Sequence, residues 1–153
     1  MTAHSASHSI ATDSGAVFQL LTDPTRLPEW NRAIVRLIET PKPLTDGSQW
    51  VVEVTALGQS WPSRSTVTRL DPVARRFAYR TQTDDGNPSY TDWSWQVDDA
   101  PGGCIVTVSL TLNPRTFWRR VLLAKIRGRQ LRHRELPGSL NELATLATRV
   151  ARA

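Results

Sequence analysis

Residues 90–112 read YTDWSWQVDDAPGGCIVTVSLTL, and this stretch decides the fold. Apolar and polar side chains alternate on both sides of the turn signal Pro101-Gly102-Gly103. An alternation with a period of two predicts β-strands that bury one face and expose the other to water. Parallel strands are usually buried on both faces, so the stretch predicts an antiparallel hairpin.

The same alternation continues toward the N-terminus in segments separated by turn signals. Trp50, Val52 and Val54 share one face of one segment, and Phe77 and Tyr79 share a face of another. Short connections rich in Gly, Asp and Pro separate the segments, which is typical of a meander. We predict six to seven strands in all, the earlier ones near residues 3–11, 33–39, 49–56, 61–70 and 77–82.

Two short helices are predicted after the first strand. Thr12 or Asp13 is placed to cap a helix that ends near Leu21, where Asp23 and Pro24 follow. A second, brief helical segment is expected over residues 25–30, because a proline restricts the residue before it.

A long helix is predicted at the C-terminal end. From about Thr116 the apolar period becomes helical, and after Pro137 the apolar stripe resumes. Pro137 removes a backbone donor and clashes with the preceding turn, so we expect the helix in two parts. The stripe consists of Trp118, Leu122, Ile126, Leu140, Leu143, Ala147 and Val150.

These elements predict an α+β protein with a helix-grip fold: a curved antiparallel sheet around a long C-terminal helix. A wide meander exposes an apolar face that another element must cover, and only the last helix is long enough. One helix does not fill the concave side of a strongly curved sheet, so we expect a cavity between them. A chain of 153 residues suits a single domain over residues 1–153.

Composition narrows the class of protein. Hydrophobic residues make up 39% and charged residues 22% of the chain, which excludes a disordered protein. The single cysteine, Cys104, excludes an intrachain disulfide and is expected to be a buried apolar side chain. The segment MTAHSASHSI lacks the pattern of a secretory signal. No apolar run is long enough to cross a bilayer, so we expect a cytoplasmic protein without a transmembrane segment.

The net charge of +5 comes mostly from arginine, and many of these arginines lie between Arg115 and Arg134. A basic cluster fits contact with RNA or an anionic membrane, and it equally fits the solvated face of an amphipathic helix. Beyond Phe117 and Trp118 near its start, no aromatic residues interleave the basic run as they do in single-strand binders. We favour the solvated face and expect no nucleic-acid partner.

Three segments resemble a known family. Residues 11–31, ATDSGAVFQLLTDPTRLPEWN, resemble the opening of the polyketide cyclase/dehydrase-like proteins. These proteins belong to the superfamily of START lipid-transfer domains and the birch pollen allergen, called SRPBCC. Asp23 and Trp30 match the family's turn and the tryptophan near its second strand. Residues 67–81 and 90–112 resemble its middle and late hairpins, although Cys104 replaces a common threonine.

The resemblance covers essentially the whole chain and implies the helix-grip fold with an internal pocket. The family includes lipid carriers, hormone receptors, polyketide cyclases and aromatases. Its shared motifs are structural, so the resemblance does not select one of these functions.

Catalytic and metal-binding motifs are missing from the sequence. It contains no phosphate-binding glycine loop, no HExxH motif and no dinucleotide fingerprint. His4 and His8 share a strand face but lack a third ligand, so we predict a polar edge strand and no metal site. His133 is expected to face solvent. The apolar strand faces are expected to carry no Asp, Glu or His, and we predict no catalytic residue and no cofactor.

The aromatic side chains are the best candidates for a binding site, although each of them also suits plain core packing. Tyr79, Thr91, Arg64 and Arg129 are the polar candidates, whereas Arg80 alternates out of phase and is expected on the wet face. The predicted ligand-binding residues are Trp30, Trp50, Val52, Val54, Phe77, Tyr79, Thr91, Trp93, Trp95, Val106, Val108, Trp118, Leu122, Ile126 and Arg129.

Three functions remain open from the sequence. The leading hypothesis is the binding or carriage of an apolar or amphipathic small molecule, such as a lipid, isoprenoid or polyketide-like compound. The first alternative is a polyketide cyclase or dehydratase, which requires a base and an oxyanion donor in the cavity. The second alternative is an interaction protein that uses the basic C-terminal helix. An exposed edge strand permits either a monomer or a homodimer.

Overall fold

The computed structural model describes residues 2–40, 44–56, 58–83, 89–113 and 136–151. One antiparallel sheet contains all seven described strands, in the order β1-β7-β6-β5-β4-β3-β2. In chain order the elements are β1 (Thr2–Ile10), α1 (Ser14–Leu21), a 3-10 turn (Pro24–Arg26), α2 (Leu27–Trp30), β2 (Ile34–Glu39), β3 (Gln49–Ala56), β4 (Gln59–Asp71), β5 (Arg76–Thr83), β6 (Tyr90–Ala100), β7 (Gly103–Asn113) and α3 (Leu136–Ala151).

This architecture confirms the predicted α+β class and the helix-grip arrangement. Strands β2 to β7 follow one another as a meander, and β1 pairs with β7 rather than with its neighbour in sequence. In the chain, helices α1 and α2 come between strands β1 and β2. These two strands form the two edges of the sheet. No helix in the described part of the chain is long and apolar enough to cross a membrane.

The β6–β7 hairpin turns at two adjacent glycines with different roles. Gly102 has a φ of +80°, a conformation that only glycine adopts without strain. Gly103 lies so close to β1 that an added Cβ would stand 2.0 Å from the carbonyl oxygen of Ile10. The sequence signal therefore marks both a tight turn and a close approach between β7 and the end of β1.

Helix α1 is capped and tied to the sheet by side chains at its start. The Asp13 carboxylate accepts a hydrogen bond from the backbone N–H of Ala16 at 3.1 Å, which confirms Asp13 as the cap. The Ser14 hydroxyl donates to the Asp99 carboxylate on β6, and that carboxylate also pairs with Arg75 at 2.9 Å. These contacts fix α1 over the β6–β7 end of the sheet.

Helix α3 covers the β1 side of the sheet with its apolar stripe. Leu140, Leu143, Leu146 and Ala147 are each at most 2% exposed. The prediction that Val150 belongs to this stripe was wrong, since Val150 is 39% exposed and Leu146 takes its place. Leu146 lies three residues after Leu143 on the same helix face, whereas Val150 falls in the last turn.

Pro137 is the second described residue of α3, so the described residues do not test the predicted break at this proline. The predicted helical residues from Thr116 to Glu135 lie outside the described residues. The start of α3 is also tied to the chain after α2. Ser139 is buried and its hydroxyl accepts the backbone N–H of Arg32 at 3.3 Å, while the Arg32 guanidinium pairs with Glu142.

The predicted alternation is confirmed along β7, whereas β2 follows the pattern of its two register shifts and Val51 on β3 also departs from it. Along β7 every second residue from Cys104 to Leu112 is buried, and Ile105 on the other face is 38% exposed. Val51 was predicted on the wet face of β3, yet it is 2% exposed. Its cross-strand neighbours Glu39 and Arg64 form an ion pair at 3.4 Å, and their side chains flank Val51.

Candidate functional site

The strand register brings the predicted site residues of different strands into rows on one face, called here the inner face. Directly opposed residues of antiparallel strands point to the same side of a sheet. Tyr79 opposes Trp93, and Trp93 in turn opposes Leu110. Phe77 opposes Trp95, which opposes Val108. The inner face is therefore continuous from β3 to β1.

One end of the inner face is closed by an aromatic cluster, defined as Trp30, Trp50, Phe77, Tyr79 and Trp95. All five side chains are buried, with exposures from 1% to 7%. Trp30 at the end of α2 meets Trp95 edge to face with ring centroids 5.5 Å apart. The Trp50 ring stacks on Phe77 at 5.9 Å and meets Tyr79 at 4.9 Å. At this end the predicted residues pack against one another and form a solid floor.

A buried hydrogen bond joins two members of the aromatic cluster. The indole N–H of Trp95 donates to the Tyr79 hydroxyl oxygen at 3.0 Å. Burial raises the pKa of the Tyr79 hydroxyl far above its usual value, because the charged phenolate loses its hydration. Tyr79 therefore remains protonated throughout the physiological range. It is suited to donating a hydrogen bond and unsuited to acting as a base.

Two further hydrogen bonds lie beside the aromatic cluster, toward the other end of the inner face. The indole N–H of Trp93 donates to the Thr81 hydroxyl at 3.2 Å, and that hydroxyl donates to the carbonyl oxygen of Thr91 at 3.4 Å. Trp93 also stacks on Tyr79, with ring centroids 6.1 Å apart. The Trp93 N–H and the Thr81 hydroxyl therefore each have an acceptor.

The other end of the inner face, called here the half-exposed end, is only partly covered. Val54, Thr81, Thr91 and Trp93 are intermediate in burial although they point to the inner side. Val52 on β3 and Val106 and Val108 on β7 are buried, at 3%, 0% and 0% exposure. Burial thus decreases along the sheet from the aromatic cluster toward the ends of β3 and β5.

The remaining residues that the sequence analysis considered for the site lie either on the outer face of the sheet or outside the described residues. Trp118, Leu122, Ile126 and Arg129 lie outside the described residues. Arg80 is on the outer face, as predicted, where it pairs with Asp92 at 2.8 Å and covers the Tyr90 ring. Arg64 was a polar candidate for the pocket and was wrongly placed, since it lies on the outer face and pairs with Glu39.

The predicted set of ligand-binding residues leaves out several inner-face residues. Ser63 and Ser65 on β4 are buried and oppose Val52 and Trp50. Leu110 and Leu112 on β7 are buried opposite Trp93 and Thr91. The period-two pattern places Leu110 and Leu112 on the face of Val106 and Val108, whereas on β4 the predicted candidate was Arg64, which is out of phase with Ser63 and Ser65.

The expectation that no histidine shares the inner face was wrong at β1. His4 opposes Leu110 and His8 opposes Val106, so both imidazoles lie on the inner side of the edge strand. The sequence did not reveal the direction of these histidines, because the residues that alternate with them on β1 are mostly serines. Neither face of β1 is therefore clearly apolar or clearly charged. In the described residues, the buried polar side chains other than Tyr79, the tryptophans and Cys104 are threonines and serines, and no group of His, Cys, Asp or Glu is arranged for a metal ion.

Cys104 is 1% exposed, and burial raises the pKa of its thiol. A raised pKa keeps the thiol protonated and poorly nucleophilic. The prediction of a buried apolar side chain is therefore confirmed.

Comparison with solved structures shows the fold. The Thermus thermophilus protein TTHA0849 is 16% identical, with a TM-score of 0.78 and coverage of 98% of this chain and 99% of its own. The Zhui aromatase/cyclase from a Streptomyces species is 18% identical, with a TM-score of 0.75 and coverage of 99% and 96%. Ara h 8.0201 is 13% identical, with a TM-score of 0.72 and coverage of 97% and 98%.

The family is shown by the sequence itself. No curated protein matches the chain. A family profile described as "Polyketide cyclase / dehydrase and lipid transport" matches residues 1–147, which is nearly the whole chain. With the helix-grip fold and the closed and half-exposed ends of its inner face, the chain belongs to the polyketide cyclase/dehydrase and lipid transport family.

Proposed function

We propose that the chain binds an apolar or amphipathic small molecule, such as a lipid, isoprenoid or polyketide-like compound, against the inner face of its sheet. The change in burial along that face carries this proposal. The aromatic cluster closes one end, whereas Val54, Thr91 and Trp93 point inward and are only partly covered at the other. Inward-pointing apolar side chains without full cover are typical of a pocket wall.

The proposed contact residues lie where the face opens. Val54, Thr81, Thr91 and Trp93 form the wall, and the aromatic cluster forms the floor behind them. Thr81 on β5 lies directly opposite Thr91 on β6. Trp118, Leu122, Ile126 and Arg129 remain predicted contacts from the sequence alone.

The family description supports an apolar ligand, and it does not decide whether the protein carries the ligand or converts it. It names cyclase or dehydrase activity and lipid transport together, and both require an apolar molecule to enter the domain. Carriage needs only the pocket, whereas catalysis also needs groups that transfer protons. Binding is therefore the part of the function that both alternatives share.

Native mass spectrometry of the freshly purified chain tests the proposal, followed by organic extraction of any bound compound. We expect a discrete additional mass that is released by the solvent. A clean unliganded mass, with no thermal stabilisation by a panel of lipids and polyketides, would contradict it, because a ligand that binds only the folded state stabilises that state.

A matched pair of variants on β6 locates the pocket. Thr91→Trp adds a large ring at the half-exposed end and is expected to abolish ligand retention. Ser94→Trp adds the same ring on the exposed outer face of the same strand and is expected to retain the ligand. Equal retention by both variants would place the ligand elsewhere.

One observation favours the enzyme alternative. His4 and His8 lie on the inner face, and imidazole is the side chain that most often transfers protons near neutral pH. If the extracted compound is converted by the protein, His8→Asn and His4→Asn should reduce turnover while the compound still binds. Binding without any conversion in the unmodified chain would leave carriage as the function.

A further inference from the structure

Strand β1 forms one edge of the sheet and lacks the features that usually prevent an edge from pairing. It pairs with β7 on one side only. Natural edge strands are short, bulged, charged or interrupted by proline, because an unpaired row of backbone groups can bind another strand. β1 is nine residues long, contains no Asp, Glu, Lys, Arg or Pro, and keeps an uninterrupted register with β7. Its free edge is therefore suited to strand addition.

Strand β2, at the opposite edge, has the protection that β1 lacks. Its register with β3 shifts at two places. It also carries two charged side chains: Arg36 pairs with Glu53 at 3.6 Å, and Glu39 pairs with Arg64 at 3.4 Å. Bulges and charges both discourage the addition of a further strand. The two edges of the sheet are therefore not equivalent.

The sequence of β1 is nearly the same when read in either direction. Its centre reads His4-Ser5-Ala6-Ser7-His8. When two antiparallel copies are related by a two-fold axis beside Ala6, each residue before Ala6 opposes the residue equally far after it in the second copy. Ser5 then opposes the second copy's Ser7, and His4 opposes the second copy's His8. Each side chain meets one of its own kind, so the strand is complementary to itself.

The outer side of such a pair extends a row of hydroxyl groups that is already present. Across β1 and β7, the Ser5 and Ser109 hydroxyl oxygens lie 3.4 Å apart, and those of Ser7 and Thr107 lie 3.0 Å apart. Ser5 and Ser7 are exposed. Directly opposed residues of antiparallel strands have Cβ atoms about 4.5–5.5 Å apart, which suits paired hydroxyls. The row continues across the two-fold axis without burying a charge.

Space for a second strand lies beside the end of β1. A groove of about 730 Å³ separates this end from α3, and its walls include the small side chains of Ser9, Ala11, Ala144 and Thr145. In the two-fold register, the second copy's Ala3 lies opposite Ser9. The groove therefore leaves room for the start of the second copy's strand.

We propose that two copies of the chain associate by antiparallel pairing of their β1 strands about a two-fold axis beside Ala6, which joins the two sheets into one. The occupant of the β1 edge is a second copy because a self-complementary strand fits its own surface in a two-fold interface. The inference is independent of the proposed binding function, since the half-exposed end of the inner face is formed by β3, β5 and β6.

Sedimentation velocity over a dilution series of the full chain tests the association, and we expect a dimer. Ser5→Lys with Ser7→Lys places two pairs of like charges directly opposite one another. This variant should raise the dissociation constant about tenfold or more. Ser5→Lys with Ser7→Glu changes the same two exposed positions, but opposite charges then meet in both pairs, so the dimer should persist. An axis beside Ser5 or Ser7 would instead oppose like charges in this second variant.

Two single variants are the controls. Ser94→Lys adds a charge on the outer face of β6, and Val35→Lys adds one on β2, where Val35 is 50% exposed. Both should remain dimeric. A monomeric unmodified chain at every concentration would overturn the inference, as would equal association of the two double variants of β1. Dissociation by Val35→Lys alone would also overturn it, because the interface would then lie at β2.

A cross-link covers the case in which the double variants do not fold. Ala6→Cys places two thiols opposite one another across the proposed axis, within the reach of a disulfide. The native Cys104 is 1% exposed and is not expected to react. Mild oxidation should give a covalent dimer of Ala6→Cys and none of Ser94→Cys. Failure of the folded Ala6→Cys variant to form this dimer would overturn the inference.

Discussion

Phenylalanine substitutions at Trp95 and Tyr79, singly and together, test whether their hydrogen bond satisfies two buried groups at once. Tyr79→Phe leaves the buried N–H of Trp95 without its acceptor, and an unsatisfied buried group costs about 1–3 kcal/mol of unfolding free energy. Trp95→Phe removes the one hydrogen-bonding partner that the Tyr79 oxygen has among the described residues. It also creates a cavity, because Trp95 is 1% exposed and its ring packs on Trp30. We expect a total loss of about 2–4 kcal/mol for this variant.

The double variant removes both partners, so neither is left unsatisfied. Its loss should be smaller than the sum of the single losses by about 1–3 kcal/mol. Urea denaturation followed by far-ultraviolet circular dichroism measures all three variants and avoids the altered tryptophan fluorescence. Trp93→Phe with Tyr90→Phe is the control pair, since these side chains lie on opposite faces of β6 and should be additive. Additivity within about 0.5 kcal/mol for Trp95 and Tyr79 would refute a mutually satisfying pair.

Three further predictions concern pH, packing and capping. Because burial raises the pKa of Tyr79, the unfolded chain loses that proton first as the pH rises above about 10, so the unfolding free energy should fall with pH there. The fall should be shallower in Tyr79→Phe, and equal slopes in urea titrations would contradict the assignment. Leu143→Ala, at a position that is 0% exposed, should lower the unfolding free energy by about 3 kcal/mol, whereas Asn141→Ala on the exposed side of α3 should change it little. Asp13→Ala should cost about 1 kcal/mol by removing the cap on the Ala16 N–H, and Asp13→Asn should retain most of that stability in thermal unfolding.

Periodicity was sufficient to predict the meander because the side-chain direction along a strand has a strict period of two. The alternation of Cys104, Val106 and Val108 placed these residues on one buried face without any knowledge of their neighbours. The cap at Asp13 and the turn at Gly102 were likewise local, since each depends only on nearby backbone geometry. Local rules fail where burial depends on other strands, as at Val51, which the Arg64 and Glu39 side chains flank on the outer face.

The sequence predicted which aromatic residues of the strands share one face and not how they pack there. The sequence identified the aromatic residues but treated them as one pocket lining. The tertiary structure divides them between a closed cluster and the half-exposed end at Trp93, because the register and the ring orientations set which side chains cover one another. It also places His4 and His8 inward, since the pairing of β1 with β7 decides which face of that polar strand is covered.

By itself, the sequence determined the family, the antiparallel meander, the capped first helix and the set of apolar side chains that share a face. These follow from short-range periodicity and turn chemistry, which a linear pattern records. Only the tertiary structure decided that Trp95 donates to Tyr79 and that the inner face is only partly buried at Thr91 and Trp93. Such contacts join residues of different strands, and their partners are set by register and ring orientation, which no local pattern specifies.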